Sequence, residues 1–432
     1  MSFPSNYSYH YYQVPYFNSN NQYKSPNNNS IINNYSLLQN HHVEMNSLND
    51  YSNFDKVNSY SNIDNNIDNN IDNNIDNNID NNIDNNIDKR SLSQYKDEYN
   101  YVENSSNKNS QIRGINICGI KNYGSNCYLN SGLQILVSSE NFVNELKKYD
   151  CKKNLTNLIN QAIHDLLNKQ IYDPIYFLNY FTKINNEFSG VQSCSQNFIR
   201  TLLKNLNDEL LTTNDNLIVE NPNYRPNDNK EYSKYYLFIS QNRIYPESSL
   251  LNLFSGISKS HSKKKCFCGE LIDEYSFSYF IDQNLYLDEI KKDNCKFSEV
   301  LRKNFEKNSL TMNCPKCNNE IILEEETTFI KLPDVFIFTL ERYQGESNNT
   351  NIEPDSIIDI REYLDINLKD NNTIYELFAI NIRFGKSKNF GHEICQVKRK
   401  GIWYEINDSN FNIRTNSYNR NSYGLFYMRK KY

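Results

Sequence analysis

What the chain lacks sets its first limits. No apolar run in its 432 residues approaches the ~18 that a membrane-spanning helix needs, so no membrane partner is expected. The Met1-Ser-Phe-Pro-Ser-Asn start has neither a basic n-region nor an apolar h-region, and no signal peptide is read there. Nor is there a basic surplus: 46 Lys and Arg stand against 52 Asp and Glu. Residues 1–110 hold 6 basic and 13 acidic side chains, a net of −7, which leaves 40 against 39, or +1, for the remainder. An acidic front and a neutral body argue against nucleic acid as a partner. That front also has no cysteine, since all ten lie between Cys118 and Cys395. Without a secretory signal they read as reduced thiols, metal ligands or catalytic groups in an intracellular protein, cytoplasmic or nuclear.

Residues 1–110 also lack any pattern that could build a core. From Ile63 to Asp88 the sequence repeats Ile-Asp-Asn-Asn, with isoleucine at 63, 67, 71, 75, 79, 83 and 87. Asn and Asp are weak helix formers, and one isoleucine per turn buries too little to offset chain entropy. This segment is expected to be a disordered low-complexity tail, with self-association or partner binding as the alternative. Folded texture begins near Ile112, and residues 111–432 read as the folded part of the chain. Leu129, Leu133, Leu136 and Val137 recur at i, i+4, i+7 and i+8, which predicts an amphipathic helix after Cys127. "NFVNELKKY", "NLTNLINQAIHDLL" and "NFIRTLLKNL" continue the helical texture. "PDVFIFTLERY", "IYELFAINIRF", "HEICQVK", "GIWYEIND" and "YGLFYMRK" are strand-like, and "KRKG" at 398–401 predicts a hairpin turn. Helices first and strands later give an α+β domain. Asn- and Ser-rich insertions near 214–232 and 346–352 read as surface loops.

Cys127 opens the predicted helix in "YGSNCYLNSGLQIL" (123–136). A helix N-terminus stabilises a thiolate and lowers its pKa, which makes such a cysteine reactive. Placement alone leaves two readings open, a buried structural thiol and a nucleophile.

The wider stretch "GIKNYGSNCYLNSGLQIL" (119–136) resembles the cysteine box of the ubiquitin-specific proteases, a family of papain-like deubiquitinating enzymes. Gly119, Asn122, Gly124, Cys127, Tyr128, Asn130, Ser131, Leu133, Gln134 and Leu136 match it, while Ser125 and Asn126 depart from it. The resemblance makes Cys127 the nucleophile and assigns Asn122 as a side-chain donor to the oxyanion; a plain turn cap is the alternative for Asn122. A thiol nucleophile needs a base and a group to orient that base. Of six histidines, His10, His41 and His42 fall in the tail, His164 in a helical pattern and His261 in a Ser/Lys loop. His392, in "FGHEICQV", resembles the family's histidine box, and "WYEINDS" resembles its second half. By that match His392 is the base, Asn407 orients it, and Asp408 supports Asn407 and the substrate side of the site. Gln192 matches the family's glutamine box, which shapes the channel for the ubiquitin tail. Three departures stand out: Glu393 replaces the usual tyrosine, Phe384 the frequent histidine, and Ser193-Cys194 the usual Gln-Asp.

"CFCG" (266–269) and "CPKC" (314–317) place Cys266, Cys268, Cys314 and Cys317 as two close pairs separated by an insertion, a pattern that suits a Cys₄ zinc site. The first pair is tighter than the usual Cys-x-x-Cys knuckle, and four reduced thiols are the alternative. The position agrees with the family's fingers subdomain, which often carries structural Zn²⁺. Cys118, Cys151, Cys194, Cys295 and Cys395 read as packing residues. The resemblance runs from about Ile112 to Arg429. It implies a papain-like α+β fold with a helical thumb, a β-rich palm and zinc-ribbon-like fingers. It also implies a thiol-dependent hydrolase that cleaves after the terminal glycine of ubiquitin on ubiquitinated proteins. Glu393 and the altered glutamine box raise one alternative, a ubiquitin-binding module that does not cleave. An unrelated zinc-ribbon scaffold would leave both boxes as coincidence.

Overall fold

A computed structural model describes residues 117–149, 153–211, 221, 223–242, 247–288, 290, 293–343, 348–385, 391–414 and 421–430. The expected tail at 1–110, Cys151, and residues 214–220 and 222 of the 214–232 insertion lie outside the described residues.

Helices come first, as the periodicity predicts: α1 (Cys127–Ser138), α2 (Glu140–Leu146), α3 (Asn154–Asn168), α4 (Ile175–Ile184) and α5 (Ser195–Leu210). A short parallel pair, β1 (Gly119–Ile120) and β2 (Ile171–Tyr172), joins the lead-in of α1 to this lobe. Every residue of α1 is buried. Its amphipathic pattern thus understates its place, because its polar face is wired into hydrogen bonds rather than wetted. Then come α6 (Asn229–Asn242), the single turn α7 (Ser249–Asn252), and β3 (Gly256–Lys265) with β4 (Leu271–Phe280). Strands β5 (Asp282–Tyr286) and β6 (Asn294–Lys296) precede α8 (Phe297–Phe305), followed by β7 (Asn308–Asn313) and β8 (Glu320–Lys331). The chain closes with β9 (Val335–Glu341), β10 (Asn351–Glu353), β11 (Ile357–Asp359), β12 (Ile374–Phe384), β13 (His392–Arg399), β14 (Ile402–Asn407), β15 (Asn410–Arg414) and β16 (Ser422–Arg429).

An eight-stranded sheet runs β15-β14-β13-β12-β16-β9-β5, with β11 also on β12. It is antiparallel except for β5 on β9. Val335 and Ile337 of β9 face the helical lobe, whereas Phe336, Phe338 and Leu340 enter a second core on the other side. A strand covered on both faces reads as a continuous apolar run, which is why "VFIFTL" shows no alternation. The β13–β14 hairpin turns at Lys400 and Gly401, both with positive φ, as "KRKG" predicts.

The second sheet, β4-β3-β8-β7, projects as a hairpin pair. Its root is fixed by a buried ion cluster, in which Lys259 pairs with Glu231 at 2.8 Å and with Asp365. Its far end has only a small apolar cluster of Ile272, Ile321 and Leu323 beside the cysteines. His261 lies on β3 here, stacked on Tyr275 with Nε2 on Asp273 at 2.8 Å, not in a solvated loop. The polar run "SKSHSKKK" hides a strand because its pairing, not its side chains, holds it in the sheet. The insertion read as loop to 232 turns helical at Asn229, and the 346–352 loop gives way to β10 at Asn351. Among the described residues no helix is long and apolar enough to cross a membrane.

Candidate active site

α1 packs against β13 and delivers its first residue, Cys127, to the end of that strand where His392 begins it. The turn before α1 needs Gly124, whose φ of 102° would strain any residue with a Cβ. Asn122 Oδ1 accepts from the N–H groups of Gly124 (3.0 Å) and Asn126 (3.3 Å). Asn126, a departure from the cysteine box, makes its own use of an amide. Its Oδ1 accepts from Tyr123 N–H at 2.6 Å, and its Nδ2 donates to Lys121 O at 3.1 Å and Asn130 Oδ1 at 2.9 Å. The loop that presents the thiol is therefore laced by side-chain amides.

Across from it, His392 Nε2 lies 2.7 Å from Asn407 Oδ1. An amide oxygen only accepts, so Nε2 carries the hydrogen and Nδ1 is left with a lone pair that can take a proton. The chain enters His392 through Gly391, where a Cβ would sit 2.5 Å from Phe384 O. Gln192 Oε1 accepts from Gly391 N–H at 2.9 Å, so Gln192 shapes the approach to the histidine.

Asp408 follows Asn407 with φ 49° at the tight β14–β15 turn. Its carboxylate is shared between two amides of the thiol loop and helix: Asn130 Nδ2 at 2.7 Å and Asn122 Nδ2 at 2.9 Å. Its main-chain oxygen accepts from Ile120 N–H at 2.8 Å. Asn122, His392, Asn407 and Asp408, drawn from two ends of the domain, are thus brought together at the start of the helix that carries Cys127. The sequence boxes name Asp408, but only the fold shows that it binds back to Asn122 and Asn130.

Cys127 is 4% exposed. Burial pushes its thiol up to about 11, the N–H of Glu393 and then of Tyr128 pull the other way, and the charges of Glu393 and Asp408 add to the rise. The lowered pKa expected of a helix start is overridden by desolvation, which penalises the charged form more than the dipole relieves it. Among the described residues no hydrogen bond joins Cys127 Sγ to the His392 ring. The thiol stays protonated in this geometry.

The replaced tyrosine, Glu393, is fully buried and paired with Arg383. Cys118 and Cys395 are sealed in the core, Cys295 is buried, and Cys194 is half-buried. None of these four is placed for chemistry on a substrate.

At the far end of the second sheet, the thiol sulfurs of Cys266, Cys268, Cys314 and Cys317 all lie within 4.8 Å of one another. Sγ–Sγ distances are 3.6 Å for Cys266–Cys317 and 3.7 Å for Cys268–Cys314. A tetrahedron with Zn–S bonds of ~2.3 Å has S–S edges of ~3.8 Å, so this donor set fits a divalent metal. The short Cys266-Phe-Cys268 bite is made workable by its turn, in which Gly269 N–H bonds Cys266 O at 2.9 Å and Gly269 takes φ 89°. In the other turn the N–H groups of Cys317 and Lys316 lower the Cys314 thiol to about 7. Soft thiolates close together at a sheet tip with little core can hold a metal.

A family model described as ubiquitin carboxyl-terminal hydrolase matches residues 118–427. The chain is 25% identical over 376 residues to the ubiquitin carboxyl-terminal hydrolase Usp2 of Drosophila melanogaster, covering 78% of this chain and 37% of that one. It is 28% identical over 252 residues to human ubiquitin carboxyl-terminal hydrolase 37, covering 55% of this chain and 24% of that one. The chain thus spans well under half the length of these curated relatives. Among solved structures, the SAGA Ubp8/Sgf11/Sus1/Sgf73 DUB module bound to ubiquitin aldehyde shares the fold. There the TM-score is 0.56 and the identity 22%, covering 80% of this chain and 76% of that one. Helical lobe, covered sheet and cysteine-tipped fingers agree with that α+β papain-like architecture. A match that spans this domain almost end to end, with both sequence boxes brought together at the start of α1, means that the chain belongs to the ubiquitin carboxyl-terminal hydrolase family.

Proposed function

We propose that the chain is a thiol-dependent ubiquitin C-terminal hydrolase, and that Cys127, His392 and Asn407 perform its chemistry. One observation carries the reading: the His392–Asn407 bond fixes the tautomer that leaves Nδ1 free, at the strand end where Cys127 arrives. His392 Nδ1 takes the thiol proton as Cys127 Sγ attacks the carbonyl carbon of ubiquitin's terminal glycine. The oxyanion that forms is met by Cys127 N–H and by Asn122 Nδ2, which Asp408 holds in place. His392 then gives the proton to the leaving amine of a lysine or peptide. Water, deprotonated by the same imidazole, attacks the thioester and frees ubiquitin with a carboxylate terminus.

Because burial keeps the resting thiol protonated, its proton has to pass to His392 as attack begins. The departures that raised a non-cleaving module, Glu393 and Ser193-Cys194, remove no member of the triad. The four cysteines at the fingers tip would hold structural zinc, which supplies only a cross-link between two turns. Reactive and metal-binding thiols work where cysteine stays reduced, so the reading includes an intracellular setting, cytoplasmic or nuclear. The test is turnover of a fluorogenic ubiquitin C-terminal amide by the full chain and by Cys127→Ser. Hydrolysis by the first and none by the second is expected; binding of ubiquitin without turnover by the unaltered chain would overturn it.

A further inference from the structure

Alternation along β13 turns the residue after His392 to the opposite face of the sheet. That residue, Glu393, is 0% exposed. Its carboxylate accepts from Arg383 Nη1, from Ser195 N–H at 2.9 Å, from the Ser195 hydroxyl, and from Asn381 Nδ2 at 3.2 Å. Arg383, also buried, donates in addition to Ser193 O at 3.1 Å. Ser195 is the first residue of α5; Glu393 holds it by its N–H, and its one hydroxyl hydrogen is shared between Glu393 and the carbonyl of Tyr128, 2.9 Å away and next to the nucleophile. One carboxylate therefore joins β12, β13, α5 and, through Ser195, α1.

Two further facts point the same way. Helix α5 has no side-chain cap of its own at Cys194, so Glu393 supplies the negative charge that its N-terminus favours. And Cys194 stands where the resembled glutamine box has aspartate. The carboxylate missing from 194 is present at 393, close enough for its charge to act on the Cys194 thiol. The N–H of Glu393, meanwhile, faces the Cys127 sulfur.

We propose that Glu393 is a positioning residue, whose buried pair with Arg383 sets the approach of His392 to Cys127 through Ser195 and the α1 backbone. This rests on reading Cys127 and His392 as the reacting pair. A carboxylate there that served folding alone would leave the chemistry untouched once its charge was balanced, which gives the test.

Full-length protein is compared as wild type, Glu393→Gln, Arg383→Met and the double variant Glu393→Gln/Arg383→Met. Measurements are thermal melting, kcat and KM on the fluorogenic ubiquitin amide, and alkylation of Cys127 by iodoacetamide against pH, read on the Cys127 peptide. Glu393→Gln should lower kcat about 10- to 100-fold, the range a sub-ångström to one-ångström misplacement produces, with KM within about twofold. The double variant leaves no unpaired buried charge and should regain the melting temperature, while its kcat stays low. Recovery of kcat together with stability would overturn the proposal. If Glu393→Gln does not fold, the double variant carries the same comparison.

If the wild-type chain turns over no ubiquitin substrate, the hydrolase reading fails by itself, and alkylation judges Glu393 separately. The groups that act on the Cys127 thiol are Glu393, Asp408 and Tyr128. With the N–H of Glu393 displaced, alkylation in the double variant should be slower at each pH. A rate curve identical to wild type would overturn the positioning role.

Discussion

Asp408→Asn is a substitution that changes one oxygen to nitrogen and should nonetheless disable the enzyme. The carboxylate accepts from two amides at 2.7 and 2.9 Å, Asn130 and Asn122. An asparagine can keep only one of them, because its Nδ2 would face a donor with a donor. The turn itself survives, since asparagine tolerates the φ of 49° that Asp408 adopts. Each lost charge-assisted bond is worth about 1.5–3 kcal/mol, and the half-exposed position puts the loss of stability near the low end. The activity loss should be larger. The shorter bond, from the buried Asn130, is the one kept; Asn122 stays held on its Oδ1 by Gly124 and Asn126, but nothing then aims its Nδ2. Complete loss of an oxyanion donor costs about 10²–10³ in kcat, so a mis-aimed one should cost about 10- to 100-fold. KM should change little, because the donor meets charge that develops only in the transition state. Steady-state kinetics on the ubiquitin amide, run with Asn122→Ala and the double variant, make the test. The two effects should be strongly non-additive. Full additivity, or an Asp408→Asn enzyme with wild-type kcat, would refute the coupling.

Two further outcomes follow from the site and the fingers. With its thiol raised to about 11, Cys127 is protonated at neutral pH, and its thiolate fraction grows about tenfold per pH unit up to that value. Iodoacetamide should thus label the free enzyme slowly near neutrality and faster as pH rises, and a flat, fast profile would mean a thiolate–imidazolium pair already present at rest. Metal analysis should find about one zinc per chain, and Cys314→Ser should release it. Hydrogen exchange should then rise in β3, β4, β7 and β8 while α1 stays protected; full zinc content in that variant would move the site elsewhere.

The covered strands and the thiol helix were legible because burial on both faces, or on one helical stripe, leaves a plain apolar signature. "VFIFTL", "FAINI" and the Leu129-Leu133-Leu136 spacing are of that kind, and the Lys400-Gly401 turn follows from its chemistry. The two boxes were legible as words, so Cys127, His392 and Asn407 could be named before their geometry was known. What stayed hidden depends on pairing across the chain. β3 is polar on nearly every residue and is a strand only because β4 and β8 flank it. α4 carries aromatic residues at most turns, and α8 sits among short strands, so neither showed a clean period. Glu393 looked like an erosion of the histidine box. Its partners Arg383, Ser195 and Asn381 lie 10, 198 and 12 residues away, which no local pattern reports.

The length of the fingers gives their attachment mechanical weight. Strand β3 runs ten residues from Gly256 to Lys265, about 33 Å at the usual rise per residue, with the cysteine turn just beyond its far end. An arm of that length multiplies small rotations: a tilt of about 10° at its base carries the tip through about 6 Å. The cluster of Lys259, Glu231 and Asp365 sits near the fulcrum, not the tip. The tip's own order therefore rests on its four cysteines and the small apolar cluster beside them, while its aim is governed by three charged side chains more than half the arm's length away.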